Sequence, residues 1–467
     1  MRSDKRKERL GDLKSKLFGS SGVRGLVNVD LTPSLAAKIG LAVATLAKTK
    51  RIVVARDTRI SGEMLQDALV SGILAGGATV DCLGIIPTPV LAFLTKKTRA
   101  DSGIMITASH NPPQYNGIKI FNDDSTAYDE KDQDRIEKII TDNNFRFADW
   151  QNVGKARQVD ESHQYVEMIK ENIKLGKKWH IVVDPGCGAT YKLAPSIFGS
   201  LGCKVTVLNA QPDGFFPARS PEPNAESLIS LARVVKELDA DVGLGYDGDG
   251  DRVAFVDEKG AFVDFDRALA AYAAFVVKKK GDGIIVTNVE ASMCIEKMVK
   301  SVGGRVVRTK VGDVYVSKAL QEGHGAFGGE PCGAWVHPKF HYCPDGILSS
   351  ALLLKALEEE KKTLSEFTSR IPQYPTLRKN IACKNEEKDA IVEKVGERLG
   401  SVLTNLKDSS KVDGVRLTLE NGWVLIRASG TEPLVRLTVE GESLKAAKRI
   451  MEESQKLAKR FIEGKQQ

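Results

Sequence analysis

The chain has 467 residues and 50.8 kDa, more than one hydrophobic core of roughly 100–200 residues can serve, so three or four domains are expected. With 42% apolar and 28% charged residues and only 17 prolines, it falls outside the disordered, collagen-like and fibrous classes. Its 68 basic and 61 acidic side chains, net +7, are too nearly balanced for a dedicated nucleic-acid binder and suit a small anionic ligand equally well. The seven cysteines (Cys82, Cys187, Cys203, Cys294, Cys332, Cys343, Cys383) are odd in number and widely spaced without a C-x-x-C, which argues against a disulfide framework and for a reducing cytoplasm.

The charged start, MRSDKRKERLGDLKSK, lacks the apolar stretch of a signal peptide. Next comes Leu17-Phe18-Gly19-Ser20-Ser21-Gly22-Val23-Arg24-Gly25, where glycine frees backbone N–H groups beside one guanidinium, the ingredients of an anion site. Residues 51–84 read as a β-strand, a polar loop, a helical segment, a Gly-containing turn and a second strand. The same pattern recurs at 180–209 and 283–309, as a crossover between parallel strands requires, so three similar α/β domains are expected.

Between the first two units, ITASHNPPQYNGIKI (106–120) places Ser109 and His110 in an uncharged loop. Adjacent side chains point apart in extended backbone and no G-x-S-x-G elbow occurs, so a Ser-His-Asp hydrolase is disfavoured. A serine that accepts and returns a phosphoryl group fits better, since it needs only a metal and cations such as Lys119 to neutralise the transferring oxygens. Asp247-Gly248-Asp249-Gly250-Asp251-Arg252 follows the second unit. Three carboxylates this close repel unless a hard cation joins them, and an all-oxygen donor set favours Mg²⁺ or Ca²⁺ over Zn²⁺. A G-x-G-x-x-G match at 243–248 and an EF-hand match from Asp247 both fail, because the flanks are strand-like and Arg252 stands where the calcium loop needs glycine.

The longest apolar run, Ala268 to Val277, is ten residues, far short of the ~20 that span a bilayer, so no membrane segment is expected. Gly328-Gly329-Glu330-Pro331-Cys332-Gly333 offers one carboxylate on a glycine-rich turn, suited to sugar hydroxyls. The nearby Cys332, His337, His341 and Cys343 suggest zinc, but Pro338 interrupts helical spacing, so buried cysteines and surface histidines are expected instead. Pro372-Gln373-Tyr374-Pro375 reads as a linker to a distinct fourth domain. That domain shows a hairpin turning at Asn421-Gly422 and a final helix from Ser443 to Phe461 burying Leu444, Ala447, Met451, Ala458 and Phe461. Just after the hairpin, Arg427-Ala428-Ser429-Gly430-Thr431-Glu432-Pro433 and Arg436 repeat the anion-site formula.

Taken together, FGSSGVRG, TASHNP with YNGIK, DGDGDR, GGEPCG and RASGTEP, in this order over nearly the whole chain, resemble the α-D-phosphohexomutase family, archaeal or bacterial type. The resemblance implies three similar mixed α/β domains plus a C-terminal α+β domain around a central cleft. Their expected limits are 1–152 for a phosphoserine domain, 153–260 for a metal-binding domain, 261–372 for a sugar-binding domain and 373–467 for a phosphate-binding domain. It implies a phosphoserine at Ser109 and Mg²⁺ held by Asp247, Asp249, Asp251 and the serine phosphate. Arg24, His110, Lys119 and Arg252 would then attend the transferring group. Substrate contacts would come from Lys310, Gly329, Glu330, Cys332, Arg427, Ser429, Gly430, Thr431 and Arg436. The implied reaction interconverts hexose 6-phosphate and hexose 1-phosphate through a bisphosphorylated sugar in a cytoplasmic monomer or homodimer.

Two departures bear on the sugar: the family commonly has serine at Cys332 and histidine at Ala334. The Gly312-Asp313 pair looks like the phosphoglucosamine mutase branch, whereas the phosphomannomutase/phosphoglucomutase branch often has Gly-His there. A metal-dependent sugar phosphatase and a non-catalytic sugar-phosphate binder share most of these loops and remain alternatives.

Overall fold

The computed structural model describes residues 16–19, 22–48, 50–281, 283–403, 405–429 and 432–463. The chain divides into two units, one holding the chain up to Gly260 together with Lys339–Lys355, the other holding Ala261–Pro338 and the chain from Ala356 onward.

The first sheet contains β1 (Val23–Leu26), β2 (Arg51–Arg56), β3 (Thr79–Ile85), β4 (Ser102–Ile106), β5 (Tyr115–Asn122) and β6 (Ala156–Gln158). Ile52, Val53, Val54 and Ala55 of β2 are all buried, as a strand covered on both faces requires. Its partners β3 and β4 lie parallel to it, with Ile52 opposite Val80 and Ser102, and the helix Gly62–Ala75 makes the crossover from β2 to β3. β5 turns back antiparallel on β4, β1 adds antiparallel to β5, and β6 closes the far edge parallel to β3. The first sheet thus draws on residues beyond the expected limit at 152, because Ala156–Gln158 supply the hydrogen bonds that would otherwise be missing along β3.

The second sheet holds β7 (His180–Asp184), β8 (Lys204–Val207), β9 (Val242–Tyr246) and β10 (Val253–Val256), in the order β10-β9-β7-β8. The third holds β11 (Ile284–Asn288), β12 (Arg305–Thr309), β13 (Phe327–Gly329) and β14 (Trp335–Val336), in the order β12-β11-β13-β14. Both repeat the inner four strands of the first sheet. The opening β-α-β pair is parallel, a third strand lies parallel on the other side of the opening strand, and a fourth returns antiparallel on the third. The chain is therefore triplicated in topology, and each expected β-loop-α-β unit is present. The apolar run from Ala268 lies inside the helix Phe265–Lys280 as core, and among the described residues no helix is long and apolar enough to cross a membrane.

The fourth sheet is antiparallel throughout, in the order β15-β19-β18-β17-β16, from β15 (Thr376–Ala382), β16 (Leu406–Ser410), β17 (Val415–Leu419), β18 (Gly422–Ala428) and β19 (Leu434–Gly441). Val424, Ile426, Leu437 and Val439 of this sheet pack against Ile391, Val395, Leu399, Ala447, Ile450 and Leu457 from two helices, Lys388–Val402 and Leu444–Ile462. Two details differ from the sequence reading. Gly422 already pairs with Leu419, so the hairpin turns at Glu420-Asn421, one residue earlier than the Asn-Gly signal suggests. Ala447, Met451 and Ala458 are buried as expected and Ile450 and Leu457 complete the stripe, while Leu444, in the first turn capped by Ser443, is half exposed and Phe461 is partly buried.

Candidate functional site

In each repeat the chemistry-bearing motif occupies one topological position, the turn from the third strand into the antiparallel fourth. Ser109 lies between β4 and β5, the Asp247–Arg252 loop between β9 and β10, and Glu330 between β13 and β14. A tight reversal at a strand end projects side chains without burying unpaired backbone, so it suits polar groups.

Ser109 is buried, and its φ of 52° puts it in the left-handed region that non-glycine residues seldom enter. This twist brings neighbouring side chains together, against the expectation from extended backbone: Ser109 Oγ lies 3.2 Å from His110 Nδ1, and His110 Nε2 lies 3.5 Å from Glu222 Oε2. A serine–histidine–carboxylate line therefore exists. It is not wired as a hydrolase triad, because the hydroxyl donates its one hydrogen to Asp247 Oδ2 at 2.7 Å, the shorter and more basic acceptor. Burial, then the charges of Arg252 and Arg24, push the His110 pKa down to about 2, so the ring is neutral.

The aspartate loop wraps around Asp247, whose Oδ1 accepts from the backbone N–H groups of Gly250 at 2.9 Å and Arg252 at 3.2 Å. Gly248 is required by proximity, since a Cβ there would stand 2.4 Å from the Ser109 carbonyl oxygen; Gly250 has φ +75° and no room beside Thr190. Thr88 Oγ1 donates to Asp249 Oδ2 at 2.5 Å, and Lys119 Nζ donates to Asp249 Oδ2 at 2.8 Å and Asp251 Oδ2 at 2.6 Å. One oxygen from each of Asp247, Asp249 and Asp251 lies within 4.8 Å of the others. Burial, then the negative charges of Asp251 and Asp249, raise Asp247 well above the ordinary carboxylate range. Burial acts on Asp249 as well, but Lys119 and Thr88 outweigh it and hold that carboxyl below the range.

Lys119 alone does not satisfy the cluster. Asp249 Oδ1 and Asp251 Oδ1 are buried without a hydrogen-bond partner. Buried carboxylate oxygens left bare are costly, and hard oxygen donors converging in this way are the donor set of a divalent cation, so the residues fit a metal ion. Among the described residues this is the one group of three or more acidic, histidine or cysteine side chains with such geometry. The zinc reading accordingly fails. The surface placement expected for the histidines fails too: His337 is buried against Phe327 and Tyr272, and His341 is buried with its Nε2 2.9 Å from Asp345 Oδ2.

Around this centre, Arg252 Nη1 lies 3.4 Å from Glu222 Oε1, and Arg24, on β1, donates to Asn111 Oδ1 at 2.8 Å. Thr88 and Glu222 have no motif of their own in the sequence. Arg59 is likewise invisible there, although Arg56-Asp57-Thr58-Arg59 packs charge directly after a buried strand, an unusual place for it.

In the other unit, Glu330 is buried and its Oε1 accepts from Asn288 Nδ2 at 2.7 Å and Gly312 N at 2.8 Å. The Gly329 carbonyl accepts from Thr287 Oγ1 at 2.8 Å; Lys310 Nζ stands 5.3 Å from the Tyr315 ring centre, and Cys332 is half-buried. Arg427 Nη1 lies 2.5 Å from Glu290 Oε1 and its Nη2 lies 3.0 Å from Asp413 Oδ2, which also accepts from Val311 N at 3.0 Å. The chain segments that brace Glu330, at 288 and 312, are thus the ones that brace Arg427, at 290 and 311. Arg436 faces Arg427 across the β18–β19 pair and donates to Ser429 Oγ at 3.4 Å, while Lys388 Nζ donates to the Ser429 carbonyl at 2.6 Å. Lys388 was not expected from the sequence. Gly430 and Thr431 lie outside the described residues.

Four family models match the chain: "Phosphoglucomutase/phosphomannomutase, alpha/beta/alpha" domain I over residues 15–147, domain II over 163–260 and domain III over 264–374, and the C-terminal domain over 379–457. A protein of Pyrococcus abyssi named "Probable phosphoglucosamine mutase" is 41% identical over 447 residues, 96% of this chain and 98% of that one. One of the same name from Methanopyrus kandleri is 42% identical over 452 residues, covering 96% and 99%. The crystal structure of a phosphoglucomutase/phosphomannomutase family protein from Burkholderia thailandensis superimposes with a TM-score of 0.86 at 29% identity, covering 97% of this chain and 98% of that one. With all four domain models matched in order, the chain belongs to the phosphoglucomutase/phosphomannomutase family, the phosphohexomutases, whose reaction is an intramolecular phosphoryl transfer.

Proposed function

We propose that the chain is a phosphoglucosamine mutase that moves phosphate between the 6 and 1 positions of glucosamine phosphate through a phosphoserine at Ser109 and a bisphosphorylated sugar. The observation that carries this reading is the buried Ser109 hydroxyl 2.7 Å from Asp247, beside Asp249 and Asp251, which each keep a buried oxygen without a hydrogen-bond partner. The choice of sugar draws on the names of the relatives and on Gly312-Asp313.

Asp247, Asp249 and Asp251, with the serine phosphate, would hold Mg²⁺, which when bound supplies positive charge against the phosphoryl oxygens. In the first half-reaction the bond from phosphorus to Ser109 Oγ breaks and one to the sugar hydroxyl oxygen forms. The hydroxyl loses a proton and Ser109 Oγ gains one, so no proton is consumed. Lys119, Arg24 and Arg252 neutralise charge around the transferring group, and neutral His110 lies beside Oγ without adding repulsion to a proton in flight. Once the sugar has reoriented, its other phosphate returns to Ser109. Glu330, with Lys310, Gly329 and Cys332, addresses the sugar hydroxyls, while Arg427, Ser429, Gly430, Thr431 and Arg436 take the phosphate that does not react. The guanidiniums of Arg427 and Arg436 and the backbone N–H groups of this loop are the donors a phosphate takes, Arg427 being oriented by Glu290 and Asp413.

The proposed limits of the four functional domains are 1–152, 153–260, 261–372 and 373–467, with the first sheet borrowing β6 from the second. The reading carries with it a cytoplasmic location, which free cysteines suit, and a monomer or homodimer. A coupled assay on glucosamine, glucose and mannose 6-phosphates, with Mg²⁺ and a trace of sugar bisphosphate, tests the reading. The largest kcat/KM is expected on glucosamine 6-phosphate. A larger value on mannose or glucose 6-phosphate would reassign the substrate, and release of inorganic phosphate at the rate of conversion would reassign the chemistry to a phosphatase.

A further inference from the structure

Arg59 is fully buried, its side chain reaches the serine loop from the end of β2, and all five of its N–H donors are used, four of them on that loop. Nε donates to Asp57 Oδ2 at 3.0 Å, Nη1 to the carbonyls of Pro112 at 2.7 Å and Tyr115 at 2.9 Å, and Nη2 to those of Ser109 at 2.9 Å and Asn111 at 2.7 Å. Four of the five bonds thus end on one loop of seven residues, and one of them ends on the carbonyl of the nucleophilic residue itself. The guanidinium also lies 5.1 Å from the centre of the Phe216 ring, which covers one of its faces.

Asp57 completes the arrangement. Its Oδ2 accepts from Thr107 Oγ1 at 2.6 Å, and Thr107 Oγ1 in turn accepts from Ser109 N at 2.8 Å. Ser109 is therefore held on both sides of its Cα, at the N–H through Thr107 and Asp57, and at the carbonyl through Arg59. A serine at φ 52° is strained, and strained backbone persists only where the surroundings over-determine it. Packing alone could bury this loop with apolar side chains at less cost than a desolvated ion pair. What apolar packing cannot do is fix four carbonyl directions, and a lysine, with three donors on a flexible point charge, cannot do it either.

We propose that Arg59 is a positioning residue for phosphoryl transfer: through its carbonyl contacts, and through Asp57 and Thr107, it sets the backbone angle that aims Ser109 Oγ at the aspartate triad. The proposal rests on the phosphoserine reading above. Arg59 acts through Ser109, so its removal lowers turnover and leaves substrate binding nearly intact.

The test uses the full-length protein with Mg²⁺, glucosamine 6-phosphate and a hexose 1,6-bisphosphate. It compares Arg59→Lys, Thr107→Val and Thr107→Ser for kcat, KM and the rate at which Ser109 takes up phosphate, followed by intact mass. A displacement of about 1 Å at a reacting atom costs about 10²-fold in rate, so Arg59→Lys is expected to lose kcat and phosphate uptake by about that factor, with KM within about threefold. Thr107→Val loses less, and Thr107→Ser, which keeps the hydroxyl, restores both. Should Arg59→Lys not fold, the Thr107 pair decides alone. The proposal is overturned if Thr107→Val and any folded Arg59→Lys keep kcat within about threefold of the unaltered enzyme, or if KM rises while kcat stays. If the unaltered enzyme takes up no phosphate, the phosphoserine reading falls and this proposal falls with it; uptake that is equal in all forms overturns the role of Arg59 alone.

Discussion

Ser109 Oγ donates a 2.7 Å hydrogen bond to Asp247 Oδ2, joining two loops 138 residues apart in the chain. The hydroxyl and the carboxylate are both buried, so the contact exists only because Gly248 lets one backbone come against the other. Ser109→Ala removes the hydroxyl proposed to carry the phosphoryl group and should leave the loops in place. Intact mass should then show no added phosphate after incubation with sugar bisphosphate, and kcat should fall by at least about 10³-fold. A phosphorylated or fully active Ser109→Ala protein would rule out the serine as carrier.

Asp249 Oδ1 and Asp251 Oδ1, buried without hydrogen-bond partners and the latter with only Arg252 Nε at 3.9 Å, predict a stabilising divalent ion. An ion at 100 times its Kd stabilises the folded state by about 2.7 kcal/mol, so Mg²⁺ should raise the melting temperature of the unit that carries the triad, and EDTA should reverse the shift. Asp249→Asn with Asp251→Asn should abolish the Mg²⁺ response. A response that survives the double change would place the ion elsewhere.

Asp266, half-buried near Asp264 and Glu440, has its pKa raised to about 7 by desolvation first and by those charges second. The unfolded chain ionises near 3.8 while the folded protein still holds the proton, so between these values the unfolded state binds fewer protons and stability falls as pH rises. The penalty is absent below 3.8 and complete above about 7, on the order of 2–4 kcal/mol. Asp266→Asn keeps an oxygen to accept from Ser292 N, as Asp266 Oδ1 does at 2.7 Å. It should melt higher than the unaltered protein at pH 7.5, with the difference vanishing near pH 4. A difference of constant size across this range would contradict the assignment.

Tyr165 OH donates to both oxygens of Asp345, at 2.9 and 2.8 Å, and Asp345 also accepts from Leu348 N at the start of its helix. Removing a donor to a buried charged group costs about 1.5–3 kcal/mol. Tyr165→Phe should lower the urea midpoint accordingly, with kcat unchanged because the hydroxyl lies among none of the reacting groups. An unchanged midpoint would mean that water or His341 replaces the lost donor.

Arg427 is already held by Glu290 and Asp413, so its position does not depend on a bound phosphate. Arg427→Met should raise KM for hexose phosphate by at least about tenfold and lower kcat less, the signature of lost uniform binding. The reverse split would move Arg427 into the transfer step.

What the residues alone determined is local. Alternation of Val and Ile with glycine turns specified three β-α-β units, because strand and helix periods are properties of neighbouring positions. The Asp-Gly repeat at 247–251 marked three carboxylates that could hold a cation by charge density, which is also local. Tertiary structure decided everything that depends on partners far apart in sequence. It brought Thr88, Lys119 and Asp249 to one point, gave Glu222 both His110 and Arg252, and buried His337 and His341. It also bent Ser109 into the left-handed region, overruling the rule that adjacent side chains diverge. Arg59 marks the limit most clearly. As a charged residue after a strand it carries no motif, and its meaning comes from four carbonyls that point at it once residues 109–115 have folded over it, a convergence of backbone dipoles that no spacing of side-chain types records.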